Sequence, residues 1–273
     1  MLSALSQVCS LNSPFQKDIE DYAAGGCVAI EVWLTKLESY LQARSMDDVR
    51  ALVDRHQVSF PVASFQGGLL TSQGEERRAH WEHFERRLKL CGQLGIGTLV
   101  VACDIATPLS QEVLDRASAS LAQAASLSAE HDVRVALEFQ RQAAFGNNLQ
   151  SAAMMVAQAE HSHVGICFDA FHFFNGPSKF ADLGYLNGDN LFHVQLCDTA
   201  GVPRELATDS DRILPGDGDW ALEPIIDHLR SIDYRGHISV EVLNPQLWQV
   251  PALQFGEIAT SALGLLLQLE DAN

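Results

Sequence analysis

Short apolar strands recur along this chain, and several carry an oxygen-bearing side chain on their other face, near the C-terminal end. In Leu191–Leu196, Phe192, Val194 and Leu196 alternate with His193 and Gln195. In His237–Val242, Ile238, Val240 and Val242 alternate with His237, Ser239 and Glu241. The same alternation places Glu31 in Val28–Trp33, Glu138 in Val133–Phe139 and Asp169 at the end of Val164–Asp169. Side chains alternate faces along a strand, so each segment has one apolar and one polar face. A carboxylate turned into a core is costly unless it is paired or bound to a cation. Five such strands therefore point to a fold that gathers the same end of successive strands around one shared site.

Strands are expected at Gln7–Leu11, Val28–Trp33, Val58–Phe65, Thr98–Cys103, Val133–Phe139, Val164–Asp169, Leu191–Leu196 and His237–Val242. Helices are expected between and after them, at Pro14–Ala24, Lys36–His56, Glu75–Leu94, Ser110–His131, Leu149–His161, Ser178–Leu186, Leu222–Ile232 and Ala252–Leu269. The repeat averages about 34 residues, close to what a strand–helix unit needs. A doubly wound sheet would also satisfy the alternation. Equal units with polar C-terminal strand ends favour an α/β chain folded as a (β/α)8 TIM barrel, one domain over residues 1–273, with its active site on that face. Ser13 before Pro14 reads as a helix start, as does Ser110 before an Ala-rich run. Gly95 and Gly236 follow helices, where a left-handed residue is often needed.

The net charge of −17 argues against a nucleic-acid partner, since a basic footprint is usual there. Six scattered cysteines without a CxxC pair read as reduced, buried thiols of a cytoplasmic protein. The N-terminal stretch lacks a basic residue before Lys17 and is a poor signal peptide, and no apolar run is long enough to span a membrane. The last helix, ALQFGEIATSALGLLLQL, can close the barrel and also pack on a second copy in a homo-oligomer.

No GxGxxG follows the first strand, and GxxxxGK[ST] and GxSxG are absent, which argues against dinucleotide, P-loop and serine-hydrolase chemistry. The carboxylates are the chemical signal. The motifs around them are AIEVWLTKLESYL with Glu31, LEF with Glu138, and FDAFHFF with Asp169 and His172. FHVQLCD with Gln195, DSDRILPGDGD with Arg212 and Gly216, and SVEVLNPQLW with Glu241 follow. In order, spacing and placement they resemble the xylose isomerase-like TIM barrels of the sugar isomerase and epimerase group, and within it the inosose (2-keto-myo-inositol) isomerases. The likeness spans essentially the whole chain.

The resemblance implies one divalent metal held by Glu138, Asp169, Gln195 and Glu241, with Glu138 and Glu241 also acting as acid and base. It implies that His172 and Arg212 touch a sugar or cyclitol substrate, with Glu31 and Trp33 as further contacts. Inosose isomerases carry histidine where this chain has Gln195; hydroxypyruvate isomerase-like members carry glutamine there. Three carboxylates and an amide oxygen suit Mn²⁺ or Mg²⁺ first, with Co²⁺ or Zn²⁺ accommodated. Such a site would serve an isomerase or epimerase, or a dehydratase of the inosose or dehydroshikimate type, if a β-hydroxyl leaves. A non-catalytic sugar-binding barrel is a third reading. A nuclease of the endonuclease IV kind would need more histidines at strand ends. Each residue also has a structural reading: Glu138, Glu241 and Glu31 as ion-pair partners, Asp169 as a cap, and Gln195 as a core hydrogen-bonder. Arg212 could pair with Asp209 or Asp211, and His193 and His237 could be satisfied core histidines. The aromatic residues Trp33, Phe171, Phe173 and Phe174 could line a sugar-stacking wall or pack the barrel mouth.

Overall fold

The structure, a computed structural model, describes residues 1–268. The last positions of the expected domain, and Leu269 of the expected final helix, lie outside the described residues. Eight parallel strands close into a barrel in sequence order. They are β1 (Leu2–Ser6), β2 (Ala29–Trp33), β3 (Ser59–Gln66), β4 (Thr98–Cys103), β5 (Arg134–Phe139), β6 (Val164–Asp169), β7 (Leu191–Leu196) and β8 (His237–Val240). The ring shuts where Leu2 to Leu5 of β1 pair with His237 to Val240 of β8. The helices are α1 (Phe15–Ala24), α2 (Leu34–Leu41), α3 (Met46–His56), α4 (Gly74–Leu94), α5 (Gln111–Ala129), α6 (Leu149–Gln158), α7 (Ala170–Asn175), α8 (Glu223–Ser231) and α9 (Ala252–Leu267). The expected (β/α)8 barrel is the observed one.

The apolar strand faces found in the sequence point outward, except that a register shift in β7 turns Phe192 into the barrel. Ile30, Val32, Leu99, Val101, Val135, Leu137, Ile166, Val194, Ile238 and Val240 join helix residues such as Leu37, Phe84, Leu121 and Phe255 in one continuous core. Parallel strands are covered on both faces in such folds, and β4 to β7 are buried along almost their whole length. A second, smaller cluster of Val62, Val100, Ala136, Cys167 and Phe192 fills the barrel itself. Val62, Val100, Ala136 and Cys167 stand two residues before Ser64, Ala102, Glu138 and Asp169. They therefore share a strand face with them and form a floor beneath the polar ends.

Five local expectations are corrected. The first strand is Leu2–Ser6, and Gln7–Ser10 is a 3-10 turn. The carbonyls of Gln7 and Ser10 are taken by the Lys36 ammonium at 3.0 and 2.7 Å, so they are not free to pair with a strand. The helix expected over Lys36–His56 is two helices, because Ser45 and Asp48 form a capping box that restarts it as α3. Ser178–Leu186 is a 3-10 turn over Phe180–Tyr185, and the short α7 follows β6 directly. Pro14, not Ser13, precedes the first turn of α1. Gly95 does end α4 in the left-handed region at φ 70°, but Gly236 does not end α8. Asp233 takes the left-handed conformation there, and Gly236 is required for space, since a Cβ would lie 2.4 Å from the Tyr234 hydroxyl.

All six cysteines are free and buried. Among the described residues, no helix is long and apolar enough to cross a membrane.

Candidate active site at the barrel mouth

Glu138 is the penultimate residue of β5, Asp169 the last of β6, Gln195 the penultimate of β7, and Glu241 the residue after β8. The Glu241 amide still donates to the Leu196 carbonyl at 3.0 Å, so the ladder reaches it. The Val242 amide donates instead to the Cys9 thiol, and the strand ends. Above the floor Glu138, Gln195 and Glu241 open onto a cavity of about 440 Å³, while Asp169 is fully buried and does not line it. One wall is polar, with Glu138, His172, Gln195, Asp209, Arg212 and Glu241. The other is mostly apolar, with Trp33, Phe65, Ala102, Ile105 and Leu243.

Asp169 has two tasks. Its Oδ1 accepts from the His172 amide at 3.0 Å, which caps α7 and returns His172 toward the cavity. Its Oδ2 accepts from Arg212 Nη1 at 2.8 Å. The same Nη1 donates to Glu241 Oε2 at 3.0 Å, while Nε and Nη2 reach Asp209 Oδ1 at 3.1 and 2.9 Å. The guanidinium lies over the Phe171 ring at 4.4 Å. The expected pairing of Arg212 with Asp209 is thus present, together with two carboxylates from the barrel. The loop carrying Arg212 is gathered by Asp198, whose carboxylate accepts from the amides of Thr199, Trp220 and Gly216 at 2.8, 3.1 and 3.2 Å. A bridge between Asp198 and Ile213 closes it.

Gln195 bridges two carboxylates. Its Nε2 donates to Glu31 Oε1 at 2.8 Å and to Glu241 Oε1 at 2.9 Å, and its Oε1 accepts from the Cys167 thiol at 3.1 Å. Glu31 lies behind it, fully buried, with Oε2 2.9 Å from His193 Nε2. Since β2 and β7 are not neighbours, these contacts cross the barrel interior. Glu31 does not line the cavity, so its expected role as a substrate contact is replaced by a place beneath Gln195. Trp33 lines the mouth and packs on Phe65 at 5.2 Å. Phe171, Phe173 and Phe174 do not line the cavity; they pack with Trp220 and Phe180. His193 is buried with Nε2 paired to Glu31 but Nδ1 without a partner among the described residues, so it is only half satisfied, and His237 is only partly buried.

Burial, reinforced by the nearby Asp169, pushes the Glu138 carboxyl well above its ordinary range. Burial also raises Glu241, against the pull of Arg212. Burial opposes charge at Asp169 too, but Arg212 and His172 outweigh it and hold the carboxyl down at about 2. At Glu31, His193 outweighs burial and lowers the carboxyl. Burial lowers His172 and favours its neutral imidazole. The mouth therefore carries more buried carboxylate than its one guanidinium neutralises. The nearest cation-forming nitrogen to Glu138 is His172 Nε2, 3.9 Å from Oε1. Ligand atoms of Glu138, Asp169 and His172 lie within 4.8 Å of one another. A carboxylate-rich donor set with one neutral imidazole and unpaired charge fits a divalent cation.

Gln140 escaped the reading of the sequence. It donates to Glu138 Oε2 and lines the cavity. Its signal was its position two residues beyond Glu138, on the same face. Phe65 and Leu243 carried no comparable signal, because apolar residues at strand ends are common.

A model of the xylose isomerase-like TIM barrel family matches residues 19–262. An inosose isomerase of Bacillus velezensis is 26% identical over 249 residues, 88% of each chain. A 3-dehydroshikimate dehydratase of Pseudomonas putida is 26% identical over 277 residues, which is 96% of this chain but 41% of that protein. The solved IOLI protein with a bound zinc atom superposes with a TM-score of 0.92 at 22% identity over 100% of both chains. D-psicose 3-epimerase of Clostridium cellulolyticum, solved with D-tagatose, superposes at 0.78 with 17% identity over 97% of this chain and 98% of that one.

Proposed function

The chain belongs to the xylose isomerase-like TIM barrel family, and from that premise we propose that it is a divalent-metal-dependent isomerase or epimerase of a keto-sugar or an inosose. The observation that carries this reading is that Glu138 and Glu241, from different strands, both line one closed-bottomed cavity. Both are carboxyls that burial pushes toward the range where a general acid or base is effective. One takes a proton from the carbon beside the substrate carbonyl. The C–H electron pair becomes a carbon–carbon double bond, and the carbonyl oxygen takes the charge. The other returns a proton, to the neighbouring carbon in an isomerisation or to the opposite face of the same carbon in an epimerisation. Glu138, Asp169 and Glu241, with Gln195 or His172, would hold the cation, which when bound polarises the substrate carbonyl and its adjacent hydroxyl. His172, Arg212 and Trp33 contact substrate oxygens or the ring face in this reading.

The similarity to a dehydroshikimate dehydratase supports a second reading, in which the same proton abstraction expels a β-hydroxyl. Against it, that substrate is an acid. The one guanidinium at the cavity is already engaged by Asp169, Glu241 and Asp209. An uncharged polyol is the better match.

The test is turnover of a panel of ketoses and inososes in heavy water. Deuterium is expected at the reacting carbon with no loss of water from the product. Glu138→Gln and Glu241→Gln are each expected to lose about 10²–10⁴-fold in rate while keeping the fold. Exchange intact in both variants removes the pair from the chemistry, and a product lighter by one water selects the dehydratase.

A further inference from the structure

Gln195 has an amide whose two ends are not interchangeable here. The same nitrogen lies 2.8 Å from Glu31 and 2.9 Å from Glu241. An ionised carboxylate only accepts hydrogen bonds, so the atom between two of them must be the NH₂. Both of its protons are then used. The amide oxygen receives only the Cys167 thiol, a weak donor, and keeps capacity for a stronger partner. Glu31 is what makes this orientation compulsory. Its second oxygen is held by His193 at 2.9 Å, and His193 in turn lies 3.2 Å from Ser239 Oγ. Glu31, His193 and Ser239 are all 0% exposed, and none lines the cavity.

We infer that Glu31, backed by His193, is a positioning residue that locks the Gln195 amide so that its oxygen, and not its NH₂, is available to a cation at the mouth. The inference rests on the metal-dependent reading above and deepens it. It makes glutamine at position 195 a directional ligand that works only with an accept-only group beneath it. Glutamine at position 31 would offer an NH₂ of its own, and the Gln195 amide could then turn over and present its protons to the cation. Partners that orient metal ligands in this way are worth about 10–100-fold in metal affinity.

The test is titration of the metal-free protein with Mn²⁺ alone, followed by calorimetry, in the full chain. Wild type and Asp169→Ala report on the metal reading itself; a wild type that binds no Mn²⁺ overturns that reading and the inference with it. Given binding by wild type, Glu31→Gln is expected to weaken Mn²⁺ about 10–100-fold. The double variant Glu31→Gln with Gln195→Glu is expected to recover most of that loss, because a carboxylate at 195 has no wrong way round. Glu31→Asp keeps the charge beside His193 but withdraws it from Gln195. It serves as the second variant should the first fail to fold, and is expected to lose affinity in the same direction. Wild-type Mn²⁺ affinity in folded Glu31→Gln or Glu31→Asp overturns the positioning role, as does a folded double variant that recovers nothing.

Discussion

Burial, reinforced by the nearby Asp169, raises the Glu138 carboxyl above its ordinary range, so a proton competes with a cation for its oxygens. A raised carboxyl binds its proton more tightly than the ordinary 4.5 would allow. Metal binding must therefore displace protons, and apparent affinity must rise with pH above that value. Calorimetric titration with Mn²⁺ in two buffers of different ionisation enthalpy should show protons released on binding. An identical heat in both buffers would mean that no proton competes with the cation for these oxygens. The positions of these residues were legible in the sequence because a strand's period of two makes its polar face visible without knowledge of the fold. Their partners were not. Glu31 meets His193 across 162 residues of chain, and that meeting follows from barrel closure and register, not from local pattern. The same limit explains Arg212. Its neighbour Asp209 could be named from sequence, whereas Asp169 and Glu241 come from strands that only the closed ring brings together.

The strands over Thr98–Cys103, Val164–Asp169 and Leu191–Leu196 were read with their observed bounds because each is short, apolar and flanked by turn residues. The first strand was misplaced because LSALS is brief and serine-rich, while the apolar residues of the next segment mimic a strand. The break between α2 and α3 was announced by Ser45 and Asp48, a start signal inside what looked like one helix. The loop after β7 is the element on which the site most depends. Asp198 satisfies three of its backbone amides, and Gly218 packs so closely that a Cβ would lie 2.2 Å from the Asp198 carboxylate. Asp198→Ala leaves those donors unmet, at a cost of about 1–3 kcal/mol. Urea denaturation should show the loss. Hydrogen exchange should speed at Thr199, Gly216 and Trp220 while the floor strands stay protected. Unchanged exchange at these three amides would mean that the loop is held by other contacts.

For the whole molecule, the proposed cation, held from several strand ends, would join parts of the barrel that are remote in sequence and bind the folded chain alone. At a concentration 100 times its dissociation constant it adds about 2.7 kcal/mol. In a chain of this size that raises the melting temperature by roughly 5–10 °C. Thermal melts with a chelator and with Mn²⁺ should differ by that much, and coincident melts would speak against a preformed site. The floor of Val62, Val100, Ala136, Cys167 and Phe192 has a consequence for the isotope experiment as well. The vestibule has one door. On the proposed mechanism a seated substrate is also its cork, and while it stays no bulk water arrives from below to trade hydrogens with the glutamate that has just taken one. Returned by the same glutamate before the door reopens, that hydrogen regenerates the substrate it came from. Recovered substrate should then carry less deuterium than product, and the difference is a clock for how long the cork holds.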